Sequence, residues 1–264
     1  MFGYGAMMSD VRVTFSDGSQ RDIVQKAYGL GPFIVGGFAG SVKIGFDMLV
    51  SLQQMLVVPE TATEPGAWEP IEVANHWKAI AAGIFSAAHP SEQAGQSHIM
   101  LVGISHEADP ATVHMPNVVQ GPRAIIIRMR SPNFEPEITS RRLSVEHIGS
   151  GAGVVRYTEL MQSYFDIGSD TLKAETAAFG MWPRMLGHGV MRVVEDNPID
   201  GISPHVHILV CRSGDIIAMA NDSRKFPQDG SGPIEFKMPP VARSYSEFLA
   251  MCQADGIGAQ GAVA

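Results

Sequence analysis

The residues whose types and spacing could do chemistry fall into three groups. His205 and His207 share one face of an apolar stretch, a spacing that two metal ligands on a strand can have. The same pair also suits two polar residues on a half-exposed strand. Gly149-Ser150-Gly151 sets a serine between glycines, but a strained nucleophile elbow needs GxSxG, which Ile148-Gly149-Ser150-Gly151 does not supply. The third group is an ordered set. Asp10-Val11-Arg12-Val13-Thr14 closes the first strand-like stretch, Lys26 follows sixteen residues after Asp10, and Gly40, within Phe38-Ala39-Gly40-Ser41, lies fourteen after Lys26. Taken one at a time, Lys26 fits a surface residue alternating out of a strand, Asp10 a turn residue and Gly40-Ser41 a helix cap. Val13, Val24, Phe38, Val42 and Phe46 fit ordinary core.

Several other chemistries have no fingerprint. No GxGxxG follows a strand, no GxxxxGK[ST] loop exists for nucleotide phosphates, and the nine histidines include no HExxH. Cys211 and Cys252 are too few for a disulfide framework and form no CxxC pair, which suits a reducing, intracellular setting. Across 264 residues the formal charge is −8, with 17% charged and 45% hydrophobic residues. That balance argues against a disordered or coiled-coil chain and offers no basic footprint for nucleic acid or an anionic membrane. Every apolar run is broken well before about 18 residues, and the start of the chain lacks the pattern of a signal peptide. The expectation is a soluble, cytoplasmic protein.

The elements that must position these residues can be read from periodicity. Met8–Phe15 alternates as a strand, Ser16-Asp17-Gly18-Ser19 reverses the chain, and Ile23–Tyr28 and Phe33–Phe38 make two further strands. A helix begins near Ser41, its predicted N-cap, with Val42, Phe46, Leu49, Val50, Leu52 and Leu56 at helical spacing. After a Pro-, Thr- and Glu-rich loop over 58–70, a second helix runs from Ile71 to Ala88 and stops at His89-Pro90. Strands are predicted at His98–Ser105, Ala124–Met129 and Val145–Ile148, with a loop over 107–122. Helices follow at Val154–Phe165 and Thr171–Glu195, the second kinked or split by Pro183. His205–Cys211 and Asp215–Ala220 close as a hairpin around Ser213-Gly214. Residues 1–252 are expected to form one domain and 253–264, rich in Gly, Ala and Gln, a flexible tail. Segregated strands and helices of this kind predict α+β layers rather than a βαβ parallel sheet.

Jointly and in this order, the Asp10–Lys26–Gly40 set, the Gly149-Ser150-Gly151 turn and the closing hairpin resemble the proteasome-type N-terminal-nucleophile hydrolases, the 20S β subunits and their bacterial relatives. The resemblance covers roughly residues 6–220. It implies a four-layer αββα sandwich and a threonine-type peptidase, or a hydrolase of another amide. In that chemistry an N-terminal Thr hydroxyl attacks the amide carbonyl with its own α-amine as base, beside a buried lysine. The resemblance makes Lys26 that lysine, Asp10 its carboxylate partner and Arg12 a support of the same network. It makes the Gly40 N–H the oxyanion donor, Thr14 the residue pairing substrate backbone as an added strand, and Ser150 the serine near the nucleophile's amine. Val13, Val24, Phe38, Val42 and Phe46 would line an apolar specificity pocket. No cofactor is implied; the partners are a peptide or amide substrate and further copies of the chain in a ring, with any ATPase partner left open.

The sequence departs from this pattern at its front. Only nine residues precede Asp10, and residues 2–8 contain no Thr, Ser or Cys, while Ser9 directly adjoins the aspartate. The expectation is therefore a nucleophile carried upstream of Met1; the alternative is a non-catalytic structural subunit of a proteasome-like ring. An unrelated small-molecule-binding α+β domain is a third reading. Before the hairpin strand the family places an aspartate and a serine, for which Asp196, Asp200 and Ser203 are the candidates. The stretches 57–72 and 107–122 are longer than the family pattern.

Overall fold

A computed structural model describes residues 4–56, 69–107, 121–141, 144–163, 177–212, 215–220, 223–225 and 234–264, with residues 114, 170, 173, 175 and 232 singly. Most of the expected loops over 58–70 and 107–122, the first residues of the expected 171–195 helix and the hairpin turn Ser213-Gly214 lie outside these residues.

The chain is mixed α+β, and every ladder among the described residues is antiparallel. Strand β1 (Gly5–Asp10) pairs with β9 (Val206–Arg212), and β9 with β10 (Asp215–Ala220). A five-stranded sheet runs β4 (Ala27–Gly31), β5 (Ile34–Ala39), β6 (His98–Ser105), β7 (Arg123–Arg130), β8 (Glu137–Thr139). Two small pairs complete the strands: β2 (Arg12–Thr14) with β3 (Gln20–Asp22), and β11 (Ser223–Lys225) with β12 (Ile234–Phe236). The helices are α1 (Val42–Met55), α2 (Pro70–Ala87), the single turn α3 (Pro90–Gln93), α4 (Val155–Ser163), α5 (Met181–Asp196) and α6 (Tyr245–Ala254).

Strand alternation decides how these elements stack. In β6, Ile99 and Leu101 face a core shared with α1, α2 and α6, while Val102 and Ile104 face a second core. That second core also holds Met7 of β1, Val35 of β5, and Leu209 and Cys211 of β9, so it fills the space between the two larger sheets. The other face of β9, Val206, Ile208 and Val210, packs on Tyr157 of α4 and on Val190 and Val194 of α5. Three apolar layers result, and strands β6 and β9 are buried on both faces.

Local signals explain most boundaries. Ser41 caps α1, accepting the Ile44 N–H at 3.2 Å. Pro70 opens α2 at a position where the missing N–H has no intrahelical partner anyway. Trp77 of α2 is fully buried and donates its indole N–H to Ser51 Oγ at 3.2 Å, which ties α2 to α1.

Three expectations about elements are corrected, and a fourth is narrowed to one of its alternatives. The 8–15 strand breaks at Val11, because Asp10 Oδ1 accepts the Arg12 N–H at 2.7 Å and turns the chain. The strand expected at 23–28 begins only at Ala27, and 20–22 pairs instead. Residues 145–148 form no strand; β8 at 137–139 takes the edge beside β7. The helix expected over 171–195 is split rather than kinked: residue 177 is helical, the chain turns over 178–180, and α5 starts at Met181 with Pro183 in its first turn. Among the described residues no helix is long and apolar enough to cross a membrane.

Candidate functional site

Asp10 ends β1, and Lys26 immediately precedes β4. Both elements contribute to the core between the sheets, and this brings the two side chains together. Lys26 Nζ donates to Asp10 Oδ1 at 3.0 Å, with Lys26 only 3% exposed. The lysine's own carbonyl accepts the Phe38 N–H at 3.1 Å, so its backbone is held by the strand that leads to Gly40. An alternating surface residue would not sit at this depth.

Arg12 touches Asp10 through its main chain alone. Its guanidinium turns to Asp22, with Nε–Oδ1 at 2.8 Å and Nη2–Oδ2 at 3.3 Å. Asp22 also accepts from Ser203 Oγ at 2.7 Å and lies 3.2 Å from His205 Nδ1. Burial alone would raise the Asp22 carboxyl, but hydrogen bonds from His205, Arg12 and Ser203 outweigh it and hold the group well below the usual carboxylate range. Ser203, His205 and Asp22 do not form a hydrolytic triad. The serine and the carboxylate meet the same imidazole nitrogen, so the ring cannot pass a proton from one side to the other. Of the three residues left open by the sequence, Ser203 is buried and lines the cavity, whereas Asp196 and Asp200 are exposed. His205 stacks on Phe236 at 4.4 Å and precedes the strand that carries His207. Among the described residues no cluster of three potential metal ligands occurs.

Lys26 and Asp10 line a cavity of about 740 Å³ between the sheets, together with Phe38, Ser150, Tyr157 and Ser203. The cavity runs along β1 from Tyr4 to Asp10, and among the described residues β1 pairs on one edge only. Among the described residues Tyr157 Oη is buried without a hydrogen-bond partner; burial, then the nearby Asp10 charge, raises its pKa. Ser150 enters through the turn at Gly149, which has φ +71° and approaches so closely that a Cβ there would fall 2.8 Å from Ala39 Cβ. A second opening of about 610 Å³, between Gly40, Ser150, His98, Arg128 and Arg130, adjoins the first. Burial, then the Arg130 and Arg128 charges, lowers the His98 pKa.

Val13, Val24, Phe38, Val42 and Phe46 all belong to the core beneath α1 and α2, and of these five Phe38 also lines the cavity. Gly40 has φ +104°, and a Cβ there would lie 2.3 Å from the Gln96 carbonyl oxygen, so only glycine fits. Its N–H donates to the Ala264 carbonyl at 2.9 Å and its carbonyl accepts the Ala264 N–H at 2.7 Å. Thr14 exchanges both hydrogen bonds with Val263, at 2.8 and 2.9 Å, and the Val42 N–H donates to the Ala262 carbonyl at 3.0 Å. The groove between Thr14 and Gly40 is thus strand-competent, and residues of the same chain lie in it.

The sequence reading missed Asp22, Glu92 and Tyr157. Their partners lie far along the chain, and no local motif marks them. Comparison with protein-family models and with curated proteins finds no match to this chain.

Proposed function

We propose that this chain is a proteasome-type N-terminal-nucleophile hydrolase subunit that cleaves a peptide or another amide. The observation that carries the reading is the Lys26–Asp10 ion pair at the wall of a cavity that also receives Ser150 and Ser203 and ends beside the Gly40 groove. In this reading the three stacked apolar cores correspond to a four-layer αββα sandwich, α1 and α2 outside the five-stranded sheet and α4 and α5 outside the three-stranded one.

The nucleophile sits on a strand preceding Met1 that pairs along the open edge of β1 and delivers a Thr, Ser or Cys to Lys26. Its hydroxyl or thiol attacks the amide carbon, and the proton passes through its own α-amine to the departing amine. Water then hydrolyses the resulting ester or thioester. The Lys26 ammonium favours the deprotonated nucleophile, and the Gly40 N–H, once released from the Ala264 carbonyl, receives the oxyanion. Copies of the chain assemble into a cytoplasmic ring.

Intact-mass analysis and N-terminal sequencing of the protein from its native source test this. A mature chain that begins with Thr, Ser or Cys before Met1, and that hydrolyses fluorogenic peptide amides, is expected. A chain that begins at Met1 or Phe2 overturns the catalytic reading. The second reading would then hold, a structural ring subunit without catalysis, which the occupied Thr14–Gly40 groove favours.

A further inference from the structure

We propose that residues 259–264 are an internal strand that closes the chain's own peptide groove, and that an extended peptide must displace them to enter. This rests on the reading above, in which the groove between Thr14 and Gly40 takes substrate backbone.

The segment behaves as a bound peptide would. Five main-chain hydrogen bonds of 2.7–3.0 Å join Ala262, Val263 and Ala264 to Thr14, Gly40 and Val42, in antiparallel pairing on both sides. Side chains alternate as in any strand. Ala262 is 1% exposed and packs into the core under α1, while Val263 is 46% exposed. The approach to the groove is also anchored. Glu92 of α3 is buried; its Oε1 accepts the Gly261 N–H at 2.9 Å and its Oε2 accepts the Ser41 hydroxyl at 2.5 Å. Gln260 Nε2 donates to Ser91 Oγ at 3.2 Å. One carboxylate therefore links the segment to the N-cap of α1.

What holds the segment is also what an incoming peptide would supply. After Asp255 no side chain up to Ala264 is charged, and those in the groove are two alanines and a valine. A competing peptide recovers the same main-chain hydrogen bonds, so exchange turns on concentration. Tethering gives the internal segment an effective concentration in the millimolar range, which a free ligand must exceed. Because Ala262 Cβ is fully enclosed, the competing peptide must carry a small side chain at that place. Glu92 meets the backbone of Gly261 and not a side chain.

The test uses the full chain and a fluorescein-labelled peptide, Gly-Ala-Gln-Gly-Ala-Val-Ala, the sequence of residues 258–264. Val263→Pro removes the N–H that bonds Thr14, and Ala262→Glu places a charge where only a methyl fits; either releases the segment. Both variants should bind the labelled peptide at least about tenfold more tightly than the wild type, and Val263→Ala should bind as the wild type does. Hydrogen exchange at the Thr14, Gly40 and Val42 amides should be slow in the wild type, fast in the two variants and slow again with peptide. Equal peptide affinity in wild type and folded variants overturns the proposal. So does unprotected exchange at those three amides in the wild type, a measurement that needs no variant to fold. Amide hydrolysis is not read here: an inactive mature chain counts against the hydrolase, and an unchanged affinity counts against the internal strand.

Discussion

The Lys26 ammonium and the Asp10 carboxylate meet at 3.0 Å, the lysine almost wholly buried and the aspartate side chain 23% exposed. Asp10 spends the same oxygen on the Arg12 N–H at 2.7 Å, so one atom both turns the chain out of β1 and neutralises a buried cation. Removing the lysine leaves that carboxylate with a main-chain donor and partial solvent only. Lys26→Met is expected to destabilise the fold by about 3 kcal/mol, the low end for breaking a buried pair because Asp10 keeps some solvent. Chemical denaturation of Lys26→Met, and of the double variant with Asp10→Asn, checks this; the double variant should recover part of the loss.

Asp22 should make the fold more stable at neutral than at acid pH. Its folded-state pKa lies below the unfolded one, near 3.9, so the stability it contributes is fully present above that value and fades as pH falls through it. Asp22→Asn should therefore melt well below the wild type at pH 7, and the gap should narrow steadily below about pH 4. A gap that stays constant from pH 7 to pH 3 would contradict the assignment.

Gly40→Ala should be the most disruptive single methyl near the groove. The residue has φ +104°, and the added carbon meets the Gln96 carbonyl oxygen at 2.3 Å, a backbone atom that cannot rotate away. A loss of about 3 kcal/mol or more is expected, read as a fall in Tm of about 6–12 °C. Gly18→Ala makes a useful contrast, since its φ of +82° is strained but no atom lies within 4 Å of the new methyl.

Ser41 serves two elements at once. Its hydroxyl oxygen caps α1 through the Ile44 N–H and its hydroxyl proton goes to Glu92. Ser41→Ala should cost about 1–2 kcal/mol from the cap alone, with a further loss because the buried Glu92 carboxylate loses a donor. Ser41→Thr, which keeps the hydroxyl, should recover most of it. Equilibrium unfolding of the two variants separates these outcomes.

Much of the architecture was legible because burial leaves a period in the sequence. The strand at His98–Ser105 was placed to the residue, since a strand enclosed on both faces reads as an uninterrupted apolar run. The start of α1 was visible in Ser41 followed by residues at helical spacing. The short pairs were not: Gln20–Asp22 and Glu137–Thr139 are polar edge strands, and nothing in Gln-Arg-Asp distinguishes a strand from a turn. The 8–15 stretch kept its alternation across a break, because the Asp10 side chain that ends β1 leaves no mark on hydrophobic period.

The candidate site divides in the same way. Asp10, Lys26 and Gly40 stood out through the family resemblance that their order and spacing carry, and their side chains and backbone hold the charge and the turn that distinguish them. The sequence by itself determined the alternating strands, the capped helix and the residues able to form an ion pair. Only the tertiary structure decided that Arg12 leaves Asp10 for Asp22, that Ser203 and His205 close on Asp22 from more than 180 residues away, and that residues 262–264 lie against Thr14 and Gly40. The physical reason is that these last contacts run through main-chain groups or through polar side chains whose partners are set by how sheets stack. Every residue carries the same N–H and C=O, so a groove built from them has no signature until the chain is folded.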